Sequence, residues 1–249
     1  MQKKSDNKNL VKIFLVFIFL YVLLFEFALP LNKILPKPSM LWESIPALFS
    51  DYNLLYALAV TTSAIYGSLI LGYLIIHLIA PLLIKILSGV DGVYLIPRLF
   101  RYFTPLFFAL LFIFWFEDSF IAEIIFGLLT TLFILGGKLY KEIPAVKEEY
   151  ILFAKSLKID DGKIFSSVAW KSCQPKIFSE LKSLHLYLWA IILVYEFAAT
   201  VGVGGVYKFA SEYHDLSAIV ALGILVSIII WLVNMVIGFL ERKIIYWES

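Results

Sequence analysis

The 249-residue chain is 61% hydrophobic and only 16% charged, with a formal net charge of +2. Soluble domains carry roughly 45–50% apolar residues, so this composition excludes a water-soluble globular protein and makes lipid the solvent for most of the surface. A balance so near neutrality gives no basis for nucleic-acid binding, and a single cysteine, Cys173, excludes an intramolecular disulfide framework.

A transmembrane helix needs about 20 predominantly apolar residues to cross about 30 Å of hydrocarbon. Six segments meet that requirement: Leu10–Leu31, Leu54–Ile79, Phe100–Phe116, Ile121–Lys138, Leu184–Val201 and Leu216–Leu240. They predict an all-α polytopic membrane protein with one domain over residues 1–249. Lysines precede the first run, but that run exceeds the usual core of a secretory signal and no small-x-small cleavage site closes it, so we read a retained helix. Glu26 lies about a turn from its outer end, where a structural role at the interface is expected. His77 and His185 fall near the inner ends of their spans, again as interfacial or helix-bonded groups.

The third and fourth spans are separated only by Glu117, Asp118 and Ser119, which predicts a tight hairpin, with Glu123 hydrating beside it. Aromatic residues from Phe107 to Phe116 pack toward lipid or line a path for an aromatic ligand. Trp42, Trp231 and Trp247 read as interfacial anchors. Asn234, deep in the last span, suits a hydrogen bond between helices.

The segment from Lys138 to Ser183 departs from this apolar pattern. Val146, Tyr150, Ala154 and Leu157 recur on one helical face, while Lys147, Glu148, Glu149 and Lys155 occupy the other. That helix ends near Lys158; Asp160 and Asp161 then offer N-cap oxygens to a second short helix carrying Ile164, Phe165 and Val168 on a common side. Two amphipathic helices meeting at a turn read as a docking surface for a soluble partner. Behind them Glu196 stands late in the fifth span, just before Gly202-Val203-Gly204-Gly205. A broken helix there would open backbone and carboxylate to a cavity, and both a pathway role and a structural role fit.

Lysine and arginine set the orientation. With the N-terminus inside, 18 of the 21 fall on the cytoplasmic side, nine of them between Lys138 and Lys182. The positive-inside rule then places both termini and the loop of about 138–183 in the cytoplasm.

Several chemistries are missing. Gly137-Lys138 lacks the rest of a P-loop, since Leu139 follows it and Leu132 stands at the required upstream position. ATP binding by this chain is therefore not expected, nor is any cofactor. The three histidines lie in three segments without ligand spacing, so no metal site is expected. Neither clustered nucleophiles for an intramembrane enzyme nor the paired inverted repeats of a secondary transporter are evident.

Residues 35–42, Leu-Pro-Lys-Pro-Ser-Met-Leu-Trp, the Leu111–Phe116 stretch, Ala154-Lys155-Ser156-Leu157 with Ile164-Phe165 and Pro175, and the Val201–Val206 glycine segment occur in an order that resembles the inner-membrane permeases of ATP-binding-cassette importers, specifically the nitrate, sulfonate and taurine type. The resemblance implies a type I importer permease of six transmembrane helices that dimerises and pairs with two cytoplasmic ATPase subunits. It further implies that solute arrives from an extracytoplasmic binding protein at the bacterial inner membrane. ATPase coupling would fall to Glu149, Ala154, Lys155, Ser156, Leu157, Lys158, Ile159, Ile164 and Phe165, and the translocation path to Trp115, Glu196, Gly202 and Gly204. The chain departs from the family pattern where its signature Glu and first Ala fall on Leu152 and Phe153, its turn glycine on Lys158 and its first loop proline on Lys171. The implied function is uptake of a small polar solute, either a nitrate-, sulfonate- or taurine-like anion or an organic vitamin-precursor-like molecule. The alternatives are a structural or regulatory permease relative whose altered loop no longer transmits ATP hydrolysis, and a secondary transporter.

Overall fold

The computed structural model describes residues 12–13, 15–29, 35–87, 105–116, 120–143, 146 and 148–245, and no strand occurs among them. In chain order the helices are α1 (Leu15–Ala28), α2 (Pro38–Ser50), α3 (Leu54–Leu87), α4 (Pro105–Phe116), α5 (Phe120–Glu142), α6 (Glu148–Ser156), a continuous α7, α8 (Gly202–Glu212) and α9 (Leu216–Ile244). α7 opens with Asp161–Lys163, passes through the π-helical turn Ile164–Ala169 and continues as Trp170–Ala199.

Four helices are long and apolar enough to cross a membrane: Leu54–Ile86, Phe120–Glu142, Ile164–Ala199 and Leu216–Ile244. Where the first and third of six expected spans should lie, the described residues form the shorter apolar helices Leu15–Ala28 and Phe107–Phe116. Both ends of the first segment and the start of the third, together with the hairpin residues 117–119, lie outside the described residues.

The second short helix expected after Asp160 is not a separate element. It runs without a break into the fifth span, and Pro175 sits inside α7 rather than at an end. The apolar stripe explains this: Trp170, Cys173, Gln174, Ile177, Phe178, Leu181, Leu184, His185 and Leu188 are buried at three- and four-residue spacing, while Lys171 and Lys176 point outward. At about 1.5 Å per residue, the 36 residues Ile164–Ala199 reach roughly 54 Å. Hydrocarbon takes only about 30 Å of that length, so α7 extends well past it.

The chain forms two compact units, residues 1–55 with 206–229 and residues 56–205 with 230–249. In the first unit, α1 grips the segment that starts α2. The Tyr21 hydroxyl donates to the Pro36 carbonyl at 2.6 Å. Glu26, in the π-helical turn Leu23–Ala28, accepts from the Ser39 amide at 3.1 Å and from the Ser39 hydroxyl at 3.0 Å. Pro38 sits where a helix start tolerates a missing N–H. Elsewhere in this unit Asp215 caps α9 by accepting from the Ala218 amide at 2.9 Å and also receives the Tyr52 hydroxyl at 3.3 Å. Burial, and then the Asp215 charge, push the Tyr52 phenol above its ordinary range.

The second unit is organised around α7, on which α4 and α5 pack. Phe126 of α5 stacks on Tyr195 of α7 and meets Phe112 of α4. α3 meets α7 through a ladder of polar and aromatic pairs. Trp189 Nε1 donates to the Tyr66 hydroxyl at 3.1 Å, and that hydroxyl also lies 3.1 Å from His185 Nε2. Gln174 donates to the Tyr73 hydroxyl at 3.2 Å, and Trp170 Nε1 to His77 Nδ1 at 3.2 Å. His185 is therefore buried in the helix interface rather than interfacial to water, because Tyr66 gives one ring nitrogen a partner. α3 and α5 approach closely where Gly72 faces Thr131 and Gly127 faces Ser68; a Cβ at either glycine would collide with the facing side chain. Ion pairs tie helix ends together: Lys138 of α5 reaches Glu180 of α7 at 3.6 Å, and Lys182 of α7 pairs with Glu241 of α9.

Candidate functional site

α6 ends in a left-handed residue. Lys158 has φ +55°, its amide donates to the Lys155 carbonyl at 2.9 Å, and the Ile159 amide reaches back to the Ala154 carbonyl at 3.2 Å. This pair of bonds is the Schellman arrangement, which satisfies carbonyls that the last helical turn leaves over. Asp160 then starts α7 as expected: its Oδ2 accepts from the Gly162 amide at 3.0 Å and its carbonyl from the Ile164 amide at 3.0 Å. The side chain of Asp161 lies outside the described residues.

α6 packs against the π-helical turn of α7. Ala154 and Ile164 are buried and Phe165 is half-buried. Glu149, Lys155, Ser156, Lys158 and Ile159 are exposed. The exposed apolar face is made by Tyr150, Leu152, Phe153 and Leu157, the last three at 58%, 67% and 58% exposure. Periodicity counted from Val146 assigned Ala154 to that outer face, but the alanine packs inward and two departures from the family pattern, Leu152 and Phe153, face out.

At the far end of α7, Glu196 has no accessible surface. Thr200, the residue that closes α7, is left-handed at φ +61°, and Gly202 follows at φ +54°. The chain thereby doubles back so that α8 starts against the Glu196 side chain. Glu196 Oε2 accepts from the Gly204 amide at 2.8 Å, and Oε1 accepts from the Thr61 hydroxyl at 2.5 Å. Thr61 Oγ1 in turn accepts from the Val203 amide at 2.9 Å. The carboxylate and the threonine thus satisfy amides that a helix start leaves unpaired, where the helix dipole favours negative charge.

The glycines are required by this fold-back rather than by flexibility. A Cβ on Gly202 would strike the Glu196 carboxyl, and one on Gly204 would strike the Phe197 amide and Leu193 carbonyl. The structure therefore brings Glu196, Gly202 and Gly204 together. Trp115 does not join them on an accessible surface: it is 62% exposed on α4, whereas Glu196 is fully buried.

Two features, the role of Thr61 and the burial of Glu123, escaped the sequence. Thr61 carries no local signal, since its role depends on a residue 135 positions away. Glu123, expected to hydrate near a hairpin, is buried with no accessible surface and faces Glu196. The Oδ1 atom of Asn234 is enclosed without a hydrogen-bond partner among the described residues.

The model of a protein family described as the binding-protein-dependent transport system inner membrane component matches residues 90–246. The chain belongs to this family. It is the permease subunit of a binding-protein-dependent ABC transporter, a membrane protein whose family supplies the transport component and not a catalytic one. The match takes in α6, its left-handed turn, all of α7 and the Glu196 fold-back of this permease. Its Leu35–Trp42 segment lies outside the match. No curated protein and no solved structure matches the permease chain.

Proposed function

We propose that this permease subunit forms the translocation pathway of an importer for a small polar solute, a nitrate-, sulfonate- or taurine-like anion or a vitamin-precursor-like organic molecule. Permeases of this family usually work with an ATPase and a binding protein. In our reading two copies of the permease, in the inner membrane with both termini cytoplasmic, engage two cytoplasmic ATPases. An extracytoplasmic binding protein delivers the solute.

The observation that carries the reading is the exposed apolar face of α6, Tyr150, Leu152, Phe153 and Leu157, flanked by exposed Glu149, Lys155 and Lys158 in the segment richest in lysine. Such a face fits a groove on a soluble ATPase, and the charged rim keeps it solvated when free. Closure of the ATPase pair would then move α6, and the left-handed turn at Lys158 would pass that motion to α7. A switch of this kind requires that docking be stronger in one conformation than in the other.

The test uses tagged full-length protein, solubilised gently, with co-purifying chains identified by mass spectrometry. Leu157→Asp places a charge on an exposed position and leaves the buried Ala154–Ile164 packing alone. An ATP-binding-cassette ATPase that accompanies the wild type and is lost with Leu157→Asp supports the reading. Absence of any ATPase from intact wild type, or equal recovery with the variant, counts against it.

A further inference from the structure

Glu123 on α5 and Glu196 on α7 are both sealed from solvent, and each carboxyl lies close enough to act on the other. Their surroundings differ sharply. Glu196 is fully engaged, with Thr61 on one oxygen and the Gly204 amide on the other. Glu123 is not: no hydroxyl or amide donor meets either of its oxygens among the described residues, and the group within hydrogen-bonding reach is the Glu196 carboxyl. The charged group that faces Glu123 is Glu196, and Glu196 is faced by Glu123, the Thr61 hydroxyl and the α8 amides. No lysine, arginine or histidine acts on either carboxyl among the described residues.

Two carboxylates held together in an apolar interior are costly, because burial removes water from both and their charges repel. The α8 amides and helix dipole offset charge at Glu196, toward which they point; Glu123 lies in the first turn of α5, where that helix's dipole favours an acid, but no amide bonds it there. Glu123 therefore still lacks the donors that would let both acids carry charge. One positive charge lodged between the carboxyls meets both requirements: it gives the Glu123 oxygens a partner and offsets the pair. A metal ion fits less well: such ions gather several oxygens, calcium about six to eight, and among the described residues no group of three or more His, Cys, Asp or Glu stands together.

We propose that Glu123 and Glu196 form a buried pair that shares a single proton, whose presence holds α5 against the junction of α7 and α8. The bound charge bridges the Glu123 oxygens to the carboxyl that caps α8. Losing it leaves two acids opposed at the point where Glu196 must keep the Gly204 amide and Thr61 in place. The site is independent of which solute the permease carries and of which ATPase docks on α6.

The experiment is thermal unfolding of the full-length detergent-solubilised protein, wild type and Glu123→Gln. Unfolding is measured from about pH 5 to pH 9 in sodium, potassium, lithium or choline chloride at constant ionic strength. The substitution keeps the shape of the side chain and removes the second acid. We expect the wild-type midpoint to fall by several degrees as pH rises, equally in every salt, and the Glu123→Gln midpoint to lose that dependence. Restoration at high pH by one alkali cation would identify a metal ion as occupant and overturn the shared proton. A wild-type midpoint indifferent to pH overturns the site, as does the same dependence in Glu123→Gln. Should Glu123→Gln fail to accumulate, Glu196→Gln is compared in the same way, and an unchanged response there also overturns the site.

Discussion

Replacing Lys158 with glycine removes a side chain from the turn where coupling motion would enter the bundle, and it should stabilise the protein. Lys158 occupies the left-handed region at φ +55°, in a turn fixed by the Lys158–Lys155 and Ile159–Ala154 backbone bonds. An L-residue pays about 1 kcal/mol or somewhat more for this conformation, because its Cβ crowds the following carbonyl. Glycine escapes that crowding but carries more freedom in the unfolded chain, which offsets about 0.5 kcal/mol. The exposed lysine side chain gives up little packing. The net expectation is a gain of about 0.5–1 kcal/mol, and at about 2–4 °C per kcal/mol for a chain of this size the midpoint should rise by about 1–4 °C. Thermal unfolding in mild detergent reads this directly, with Lys158→Val as a control that should move the other way, since a β-branched residue fits the left-handed region poorly. A clear drop for Lys158→Gly with the protein otherwise intact would refute a left-handed turn at this residue.

Gly204→Ala should be the more damaging glycine substitution in the fold-back, because its methyl meets the Phe197 amide and Leu193 carbonyl, which are backbone and cannot swing aside. A loss of about 1–3 kcal/mol is expected, seen as a lower unfolding midpoint and lower yield; an unchanged midpoint would mean that α8 does not start against α7. Tyr66→Phe removes the acceptor of the Trp189 indole N–H and the partner of His185 Nε2, leaving a buried donor without an acceptor at a cost of about 1–3 kcal/mol. Thermal unfolding with tryptophan fluorescence follows both the stability and the Trp189 environment, and a midpoint equal to wild type would remove Tyr66 from the α3–α7 ladder.

The parts of this fold that sequence could show are those governed by neighbours in the chain. The Asp160 cap needs only residues two and four positions on, and the α6 stop at Lys158 needs only the local turn. The length of α7 was present in the stripe from Trp170 to Leu188 but was masked by Lys163, Lys171 and Lys176, which a span would not tolerate and an exposed helical face does. Glu196 stood out because acids are rare at membrane depth. Whether it faced a path or a helix start depended on Thr61, far away along the chain, and on glycines whose need for close approach looks the same in sequence as a need for flexibility. That Glu123 is buried was invisible for the same reason. Its burial is decided by α7, which lies far along the chain.

Glu26 and Glu196 use one device at two levels of burial. Each stands near the end of an apolar helix and turns its carboxylate onto the first amides of the short helix that follows, Ser39 in α2 and Gly204 in α8. Backbone amides that a helix start leaves over are a ready set of donors, so an acid in an otherwise apolar segment can be held without any solute or ion. An intramembrane carboxylate is therefore not by itself the mark of a transport pathway in this chain. Glu26 is half-buried, with both oxygens bonded to Ser39, and nothing further is demanded of it. Glu196 meets the same local need from within a sealed interior, but it does so with Glu123 beside it, and Glu123, though in the first turn of α5, bonds none of its amides. What separates a structural acid from a binding site here is the supply of donors. Glu196 has them from Thr61 and α8, and the acid that faces it does not.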